Sequence, residues 1–436
     1  MGNNINDGLK DVFAKAFIDE TKIELTFSSP NIDLDVMVTS LDVSGDYIND
    51  FGDSITAVFS IPKGDLIYDF IPYRDDLNMT VKLTENSIVK TRVMMAVLDQ
   101  MPAQLEDPAY RKLSRVNLNK SLVDIQVHLL DLPLLALRSA PTNGIYLDKN
   151  LEEVIIDVFK RDAIDVSSLA LYPVIDLRFT KPDNKRVYDH VNLGLEKKVL
   201  GIPLFLHKEY GVYNAGMNVY KPSFEDMPIG KHKLHIYPPF VRPKVNKAIL
   251  HIMDDNMMVA TDNTHYIKDG VHHIAVQMST PTDLDSSKYY SDGVNRTYMS
   301  PEQPSDNKTN LELPNHILKY DFTNTITKKK HETVLQDLLI PFSDMEHTDN
   351  AYEVSTTVLK QQFSIVQLSW SNALMTIFEP NMACLLVDED MQKECHLVHT
   401  HFVYTQRGTT AIMTVAFKKK LVTGGGTDGT VTTQIL

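Results

Sequence analysis

From Lys22 onward apolar and polar residues alternate. Ile23, Leu25 and Phe27 form one set, Ile55, Ala57, Phe59 and Ile61 a second, and Leu77, Met79, Val81 and Leu83 a third. A period of two places each set on one face of a strand. Ser54, Thr56, Ser60, Asn78, Thr80 and Lys82 take the opposite face, so these strands have one wet side, as in an antiparallel sheet or barrel. Pro62-Lys63-Gly64-Asp65 is a turn between two of them. The pattern returns where Val123, Ile125, Val127 and Leu129 oppose Asp124, Gln126 and His128. Residues 21–140 are therefore predicted to form a first β-barrel, with 102–120 as a polar excursion. Ahead of it, Leu9, Val12, Phe13, Ala16 and Phe17 recur at helical spacing, which predicts an amphipathic helical arm over 1–20.

The period then changes. Asn150 followed by Glu153 is a capping-box start, with Leu151, Val154, Ile155, Val158 and Phe159 on one helical face. A second helix opens at Pro203 and stops at Gly211. LYPVIDLRF, MNVYKP and HKLHIYPPF read as strands around them, so 141–245 is predicted to be a mixed α/β module. Residues 246–350 are β-rich, with AILHIMD and HHIAVQM as strands, and carry a polar stretch over 281–312 that is longer than compact domains usually leave without structure. That stretch is an insertion or a contact loop. FSIVQLS, LMTIFEP, MACLLVD, HLVHTHFVY and AIMTVAF predict a second β-barrel over 351–422, with DEDMQKE as a hairpin connection. The tail 423–436, TGGGTDGTVTTQIL, is flexible by composition. The expected fold is α+β, predominantly β: two β-barrels bracketing a mixed α/β module, an internal duplication too diverged to register as a sequence repeat.

At 436 residues the chain exceeds one ordinary core, and 43% hydrophobic with 23% charged residues is a soluble globular composition. No apolar run approaches the roughly 20 residues of a spanning helix. MGNNINDGLKDVF has neither a basic leader nor an apolar core, and Asn6 stands where a myristoylation motif needs Ser or Thr. Synthesis and assembly in a cytoplasm are expected, without membrane insertion. Cys384 and Cys395 are then free thiols rather than a bridge. A net charge of −14 argues against a dominant nucleic-acid-binding surface. The acidity is uneven: residues 31–76 hold ten Asp and no Glu against Lys63 and Arg74, or 2 − 10 = −8.

Each candidate chemistry meets an objection. Asp42, Ser44, Asp46, Ile48, Asp50 and Asp53 fall at the ligand spacing of a calcium loop, but that loop needs Gly where Tyr47 stands and a bidentate Glu where Asp53 stands. Cys384, Cys395, His396, His399 and His401 are zinc-ligand types, and strand alternation would put Cys395, His399 and His401 on one face with His396 opposite. The close cysteine pair of a structural finger is missing, and histidines on a polar strand face are the simpler reading. Gly424, Gly426 and Gly429 match a dinucleotide spacing without the helix that should follow. Asn295-Arg296-Thr297 and Asn307-Lys308-Thr309 are sequons without a secretion signal. No phosphate-binding loop, nucleophile elbow or zinc-protease helix motif is present. A glycosidase carboxylate pair is defined by spacing in space rather than in sequence, yet Trp370 is the only tryptophan available to a carbohydrate platform. No catalytic residue, metal ligand or cofactor site is expected.

The stretch TSLDVSGDYINDFGDSITAVFSIPKGDLIYDFIPYRDDLNMTVKL resembles the first β-barrel domain of central baseplate hub proteins of tailed bacteriophages, which are related to the hub portion of type VI secretion spike proteins. The resemblance rests on the turn from Asp46-Tyr47 to Asp53, the strand 54–61, and Tyr68-Asp69 with Pro72-Tyr73-Arg74-Asp75-Asp76-Leu77 leading into a new strand. Tyr210-Gly211-Val212-Tyr213, Ile236-Tyr237-Pro238-Pro239 and Glu379-Pro380-Asn381-Met382 are further echoes. It implies a non-enzymatic virion protein: a tail hub whose two barrels per chain give a homotrimer six similar units around an axis. Its partners would be the tail tube protein, the central spike and other baseplate subunits, and DNA would pass through the lumen during genome ejection without specific binding. The alternatives are another tail component, such as a distal tail or tube-adaptor protein, or a baseplate-associated glycan or peptidoglycan hydrolase.

Overall fold

The structure is a computed structural model and describes residues 21–85, 88–99, 118–167, 174–225, 231–253, 264–280, 293–300, 318–323, 330–341, 352, 363–388, 391–418 and 430–432. The expected N-terminal helix, residues 102–117 of the polar excursion, and most of both the 281–312 stretch and the C-terminal tail lie outside the described residues.

Six strands build the first barrel: β1 (Thr21–Ser28), β2 (Asp33–Asp46), β3 (Ser54–Pro62), β4 (Asn78–Glu85), β5 (Ile88–Leu98) and β6 (Leu122–Asp131). Their pairing runs β1-β2-β3-β6-β5-β4 and back to β1, antiparallel throughout, so the sheet closes on itself. Closure removes the free edges that an open sheet would expose. The alternating apolar sets all point inward: Leu25, Phe27, Ile55, Ala57, Phe59, Ile61, Leu77, Met79, Val81 and Leu83 are buried. The connection from β3 to β4 plugs one end, with Phe70 stacked on Phe27 at 4.3 Å and Leu66 buried beside it.

Ten residues separate β11 (Lys231–Tyr237) from the start of a second circuit. It comprises β12 (Ala248–Ile252), β14 (Val271–Thr280), β18 (Phe363–Ser371), β19 (Ala383–Asp388), β20 (Met391–Thr405) and β21 (Gly408–Lys418), with β13 (His265–Lys268) attached to β14. Pairing runs β12-β14-β18-β21-β20-β19 and back to β12. Counted from one to six in chain order, both barrels close in the same sequence, 1-2-3-6-5-4. They differ in one strand direction, since β12 runs parallel to both of its neighbours. The second barrel thus takes two strands from 248–280, ahead of the position 351 where the sequence pattern sets its start. LMTIFEP, read as a strand, is not one: residues 372–382 carry no strand, and Leu374 and Phe378 turn inward to plug the second barrel, Phe378 meeting Trp370 edge-on at 5.7 Å. An apolar run that fills a barrel mouth has the composition of a strand but none of its alternation.

The two barrels are joined along β2 and β20, which pair antiparallel from Ser40↔Thr405 to Asp46↔His399. One continuous apolar core spans both. Between them lies the α/β module: α1 (Leu132–Ser139), β7 (Pro141–Asn150), α2 (Leu151–Ser167), β8 (Val174–Phe179), β9 (Val187–Lys198), α3 (Ile202–Tyr210), β10 (Asn218–Tyr220) and β11. β7 pairs with β9, and β11 joins β10 to β8, around a separate apolar core. The Asn150–Glu153 capping box is present, each residue's side chain accepting from the other's backbone N–H at 2.9 and 3.1 Å. β15 (Gly293–Ser300), β16 (Leu318–Thr323) and β17 (Lys330–Pro341) are inserted between the second and third strands of barrel two, and β22 (Thr430–Thr432), which follows the barrel in the chain, pairs with β16 to make their sheet four-stranded.

Candidate functional site

Two features concentrate the polar residues that the sequence singles out: the turn from Asp46 to Asp53, and the outward face of the sheet that crosses from one barrel to the other. The turn is an anchor. Asp46 folds it by accepting from Ile48 N, Asn49 N and Asn49 Nδ2 at 2.9, 3.1 and 2.7 Å, an Asx arrangement that substitutes for backbone pairing. The Asp53 carboxylate points inward, accepting from Tyr220 Oη and Ser223 N, both at 2.5 Å. Burial pushes the Asp53 carboxyl up, opposed by those two donors, and pushes the Tyr220 hydroxyl far up as well. Asn218 Nδ2 donates to Tyr47 O and Asp50 O, and Tyr237 Oη donates to Tyr47 O. Lys221 and Asp131, 2% and 7% exposed, form an ion pair of 2.5 Å next to this contact. The strand β10 and the residues after it are thereby fastened to the first barrel.

The residues at calcium-loop spacing are not gathered around one point. Asp42, Ser44 and Asp46 lie on the outward face of β2, while Asp53 faces the buried Tyr220. Among the described residues no cluster of three or more His, Cys, Asp or Glu is placed to hold a metal ion. The cysteines and histidines separate too. Cys384 and Cys395 face each other across β19 and β20, both buried, and burial raises both thiols, Cys395 to about 12. Val398 is an extra residue in β20, since Leu397 pairs with Val415 and His399 with Thr414. That bulge reverses the alternation: His399 and His401 turn to the outside, away from Cys395, correcting the shared face that strict alternation predicts. His396 is buried with its Nε2 donating to Pro239 O at 3.0 Å. Trp370 is buried, donating to Thr264 Oγ1. Asn295 and Thr297 fall in β15, and the other sequon and the tail glycines lie outside the described residues.

A half-open cleft of about 380 Å³ beside the turn gathers Asp50, Asp53, His128, Asp131 and Arg138. Asp53 and Asp131 are committed to Tyr220 and Lys221, and Asp131 also caps α1 by accepting from Leu134 N at 2.9 Å. Asp50 is the exposed carboxylate of the cleft, its carboxyl held up by partial burial and by Asp46.

The sheet face is the larger feature, and register alone lays it out. One row runs Val97, His128, Thr56, Asp42, Val403, Thr410, Ser371 across β5, β6, β3, β2, β20, β21 and β18. A second runs Ser54, Ser44, His401, Ile412 and Ser369. It is one surface across two barrels. Asp42, Asp46 and Asp124 stand on it, Asp99 adjoins it through Gln126 and His128, and these rows hold no Lys or Arg. His399 lies 3.3 Å from Ser44 Oγ, with its imidazole pushed down by burial against the opposing pull of Asp46. The sequence signalled this face through the alternation of Asp124, Gln126 and His128; its continuation across β2 and β20 had no sequence signal, because strand pairing between distant segments leaves none.

No protein-family model and no curated protein matches the sequence. Among solved structures the chain is similar to the 43 kDa tail protein of prophage MuSo2 from Shewanella oneidensis, at 10% identity over 90% of this chain and 96% of that one, with a TM-score of 0.48. It is also similar to the tail protein from Neisseria meningitidis MC58, at 9% identity over 90% and 96% of the two chains and a TM-score of 0.41. A third is the E. coli c3393 protein, a component of the type VI secretion system with structural similarity to T4 bacteriophage tail proteins, at 8% identity over 91% and 77% and a TM-score of 0.43. Two of these are tail proteins and the third is a type VI secretion component. Among the described residues, no helix is long and apolar enough to cross a membrane.

Proposed function

We propose that this chain is a structural subunit of a phage tail baseplate, the hub, whose copies close into a trimeric ring joining the tail tube to the central spike. The observation that carries the reading is the duplicated barrel: two circuits of identical order, 1-2-3-6-5-4, fused edge to edge through β2 and β20. A chain that already contains one barrel-to-barrel junction makes a closed ring by repeating it, and three chains supply six such barrels around an axis. The continuous polar sheet face is the natural wall of the lumen, and its carboxylates repel phosphates, so DNA passes without sticking. The bonds of Asp46, Asp53, Asp131 and Lys221 are those of scaffolding, which supports a non-enzymatic role in the virion. The experiment is mass determination by light scattering on the purified chain, then class averages by electron microscopy. A trimer with six lobes around an open lumen is the expected result. A compact monomer at every concentration would overturn the ring.

A further inference from the structure

The strand β9 carries a tip away from α1. Its last residue is held beside that helix, where Lys198 Nζ donates to Ser139 O and the next amide, Val199 N, donates to Ala140 O, each at 3.1 Å. The strand has 12 residues. At about 3.3 Å per residue its first residue, Val187, stands roughly 30–35 Å from that contact. Lys185, Val187 and Asp189 are all exposed at this tip, Val187 at 57%. Val187 and Asp189 share one strand face, and Lys185 sits two residues ahead. A cation, an apolar side chain and a carboxylate therefore follow one another along the chain.

The half-open cleft beside the Asp46–Asp53 turn holds the complement of each group. Its lining combines the exposed carboxylate of Asp50, the exposed guanidinium of Arg138 and an apolar wall that includes Leu130, Leu134 and Leu135, the first and last each 38% exposed. Arg138 stands over the ring of Phe51, 5.7 Å from its centroid. Partial burial and Asp46 push the Asp50 carboxyl up, and the charge of Arg138 opposes them, so carboxylate and guanidinium belong to one site. A carboxylate whose charge is disfavoured in this way gains from an incoming cation. The cleft is built partly on α1, where Ser139 Oγ donates to Leu135 O. The length of β9 thus holds the tip far from the cleft of its own chain, and the two can meet only between copies.

We infer that the start of β9, Lys185 to Asp189, seats in this cleft on a second copy of the chain, with Lys185 at Asp50, Val187 against the leucine wall and Asp189 at Arg138. Opposite charges flanking an apolar contact fix both the partner and its direction. The two surfaces are different patches of one sequence, so the contact is head-to-tail, the kind that generates a ring when its rotation closes. The inference rests on the ring reading above and adds a contact that the α/β module makes outside the barrels.

The test uses the full chain. Asp50→Lys and Lys185→Asp each set like charges against one another in the contact, and combining them in one chain restores the pair with its signs exchanged. Subunit exchange is followed between two assembled pools carrying different fluorophores, at low salt and beside light scattering. The expected result is a trimer by mass whose exchange is about tenfold faster in each single variant and close to the native rate in the combination. Leu135→Cys with Val187→Cys, both at exposed positions, should give a covalent trimer on a non-reducing gel after mild oxidation. The single cysteine variants and the native chain stay unlinked, because Cys384 and Cys395 are buried. A trimer whose exchange ignores the reversals, or is not rescued by combining them, and which forms no such link would overturn this contact and leave the ring reading standing. A chain that stays monomeric at every concentration would overturn both.

Discussion

The Glu85 carboxylate, at the end of the fourth strand of barrel one, accepts two hydrogen bonds from Thr376, in the plug of barrel two: from the backbone N–H at 3.1 Å and from Oγ1 at 2.6 Å. Its other oxygen accepts from Met375 N at 2.8 Å and Thr21 Oγ1 at 3.2 Å. Glu85 is only 2% exposed, so the donors around it have no water to turn to. This carboxylate ties the end of barrel one opposite its own plug to the plug of barrel two, while β2 and β20 hold the barrels along a strand. Replacing it strands buried amides, each costing about 1–3 kcal/mol. Glu85→Ala is expected to lower the unfolding free energy by about 3 kcal/mol in a urea titration, with the folded spectrum kept. A change under about 0.5 kcal/mol, the ordinary range for surface positions, would remove Glu85 from the barrel junction.

Lys221 and Asp131 fasten the α/β module to barrel one. Removing one member of a buried pair leaves an uncompensated charge and costs about 3–5 kcal/mol, whereas replacing both with apolar residues costs far less. Lys221→Met should therefore destabilise more than the Lys221→Met, Asp131→Asn double variant. Equal losses in the two would show that the pair is not coupled.

Much of barrel one was legible because its inward residues keep a strict period of two, and the resemblance fixed on the parts that interrupt that period. Pro72 to Leu77 and Glu379 to Met382 turn out to occupy the same place in the two barrels, the run into the fourth strand. The second barrel was harder to read. Its strands are divided by the insertion carrying β15 to β17, and its plug imitates a strand in composition. The bulges at Thr39 and Val398 were invisible, since one extra residue reverses every later side chain without changing which residue types appear. That is why His399 was grouped with Cys395. The dense aspartates of the opening stretch read as one acidic surface, whereas Asp53 is committed to Tyr220 and Asp46 to its own turn. Hydrogen-bond partners far along the chain decide such roles, and no local pattern records them.

Gly45 lies on β2 where the Tyr220 hydroxyl reaches Asp53. A Cβ at this position would collide with Tyr220 Oη and stand 3.0 Å from Asp53 Oδ1. Gly45→Ala must displace the tyrosine and break the Tyr220–Asp53 bond, a loss of about 2 kcal/mol with a charged acceptor. Thermal unfolding of Gly45→Ala against Tyr220→Phe checks this: the two should be close, and combining them should not add. Full additivity would mean that Gly45 acts elsewhere.

Acid should weaken the fold through its buried histidines. Burial holds His207, His232, His251 and His396 at about 4, below the ordinary 6.5. The unfolded chain takes up these protons near pH 6.5 and the folded one near 4, so between those values the unfolded state binds more. Stability therefore falls as pH drops from about 6.5 to about 4, and none of this effect remains to be lost below that. One such histidine accounts for about 3 kcal/mol at most. His396 is 1% exposed and suits the test. His396→Gln should flatten the slope of stability against pH across that window by the contribution of one proton. An unchanged slope would mean that His396 is protonated in the fold.

The charge of the sheet face separates a lumen wall from an outer surface. Asp42 and Asp124 lie on it, opposite Thr56 and Ser60 on β3, and neither is committed to the turn that Asp46 folds or to the buried contact that Asp53 makes. Reversing them with Asp42→Lys and Asp124→Lys leaves the barrel cores untouched and adds four positive units per chain, two by removal and two by gain. In a ring of three that is twelve units facing one lumen. The native assembly should leave linear duplex DNA unbound. The double variant, assembling equally well, should retain it at low salt and release it steeply as salt rises, the signature of counterion release. Accessibility gives the discriminating control: a DNA hairpin with a loop too wide for the lumen should not be retained if the lysines face inward. Equal retention of the wide and the linear DNA would put this face on the outside of the assembly and overturn its role as the wall of a DNA passage.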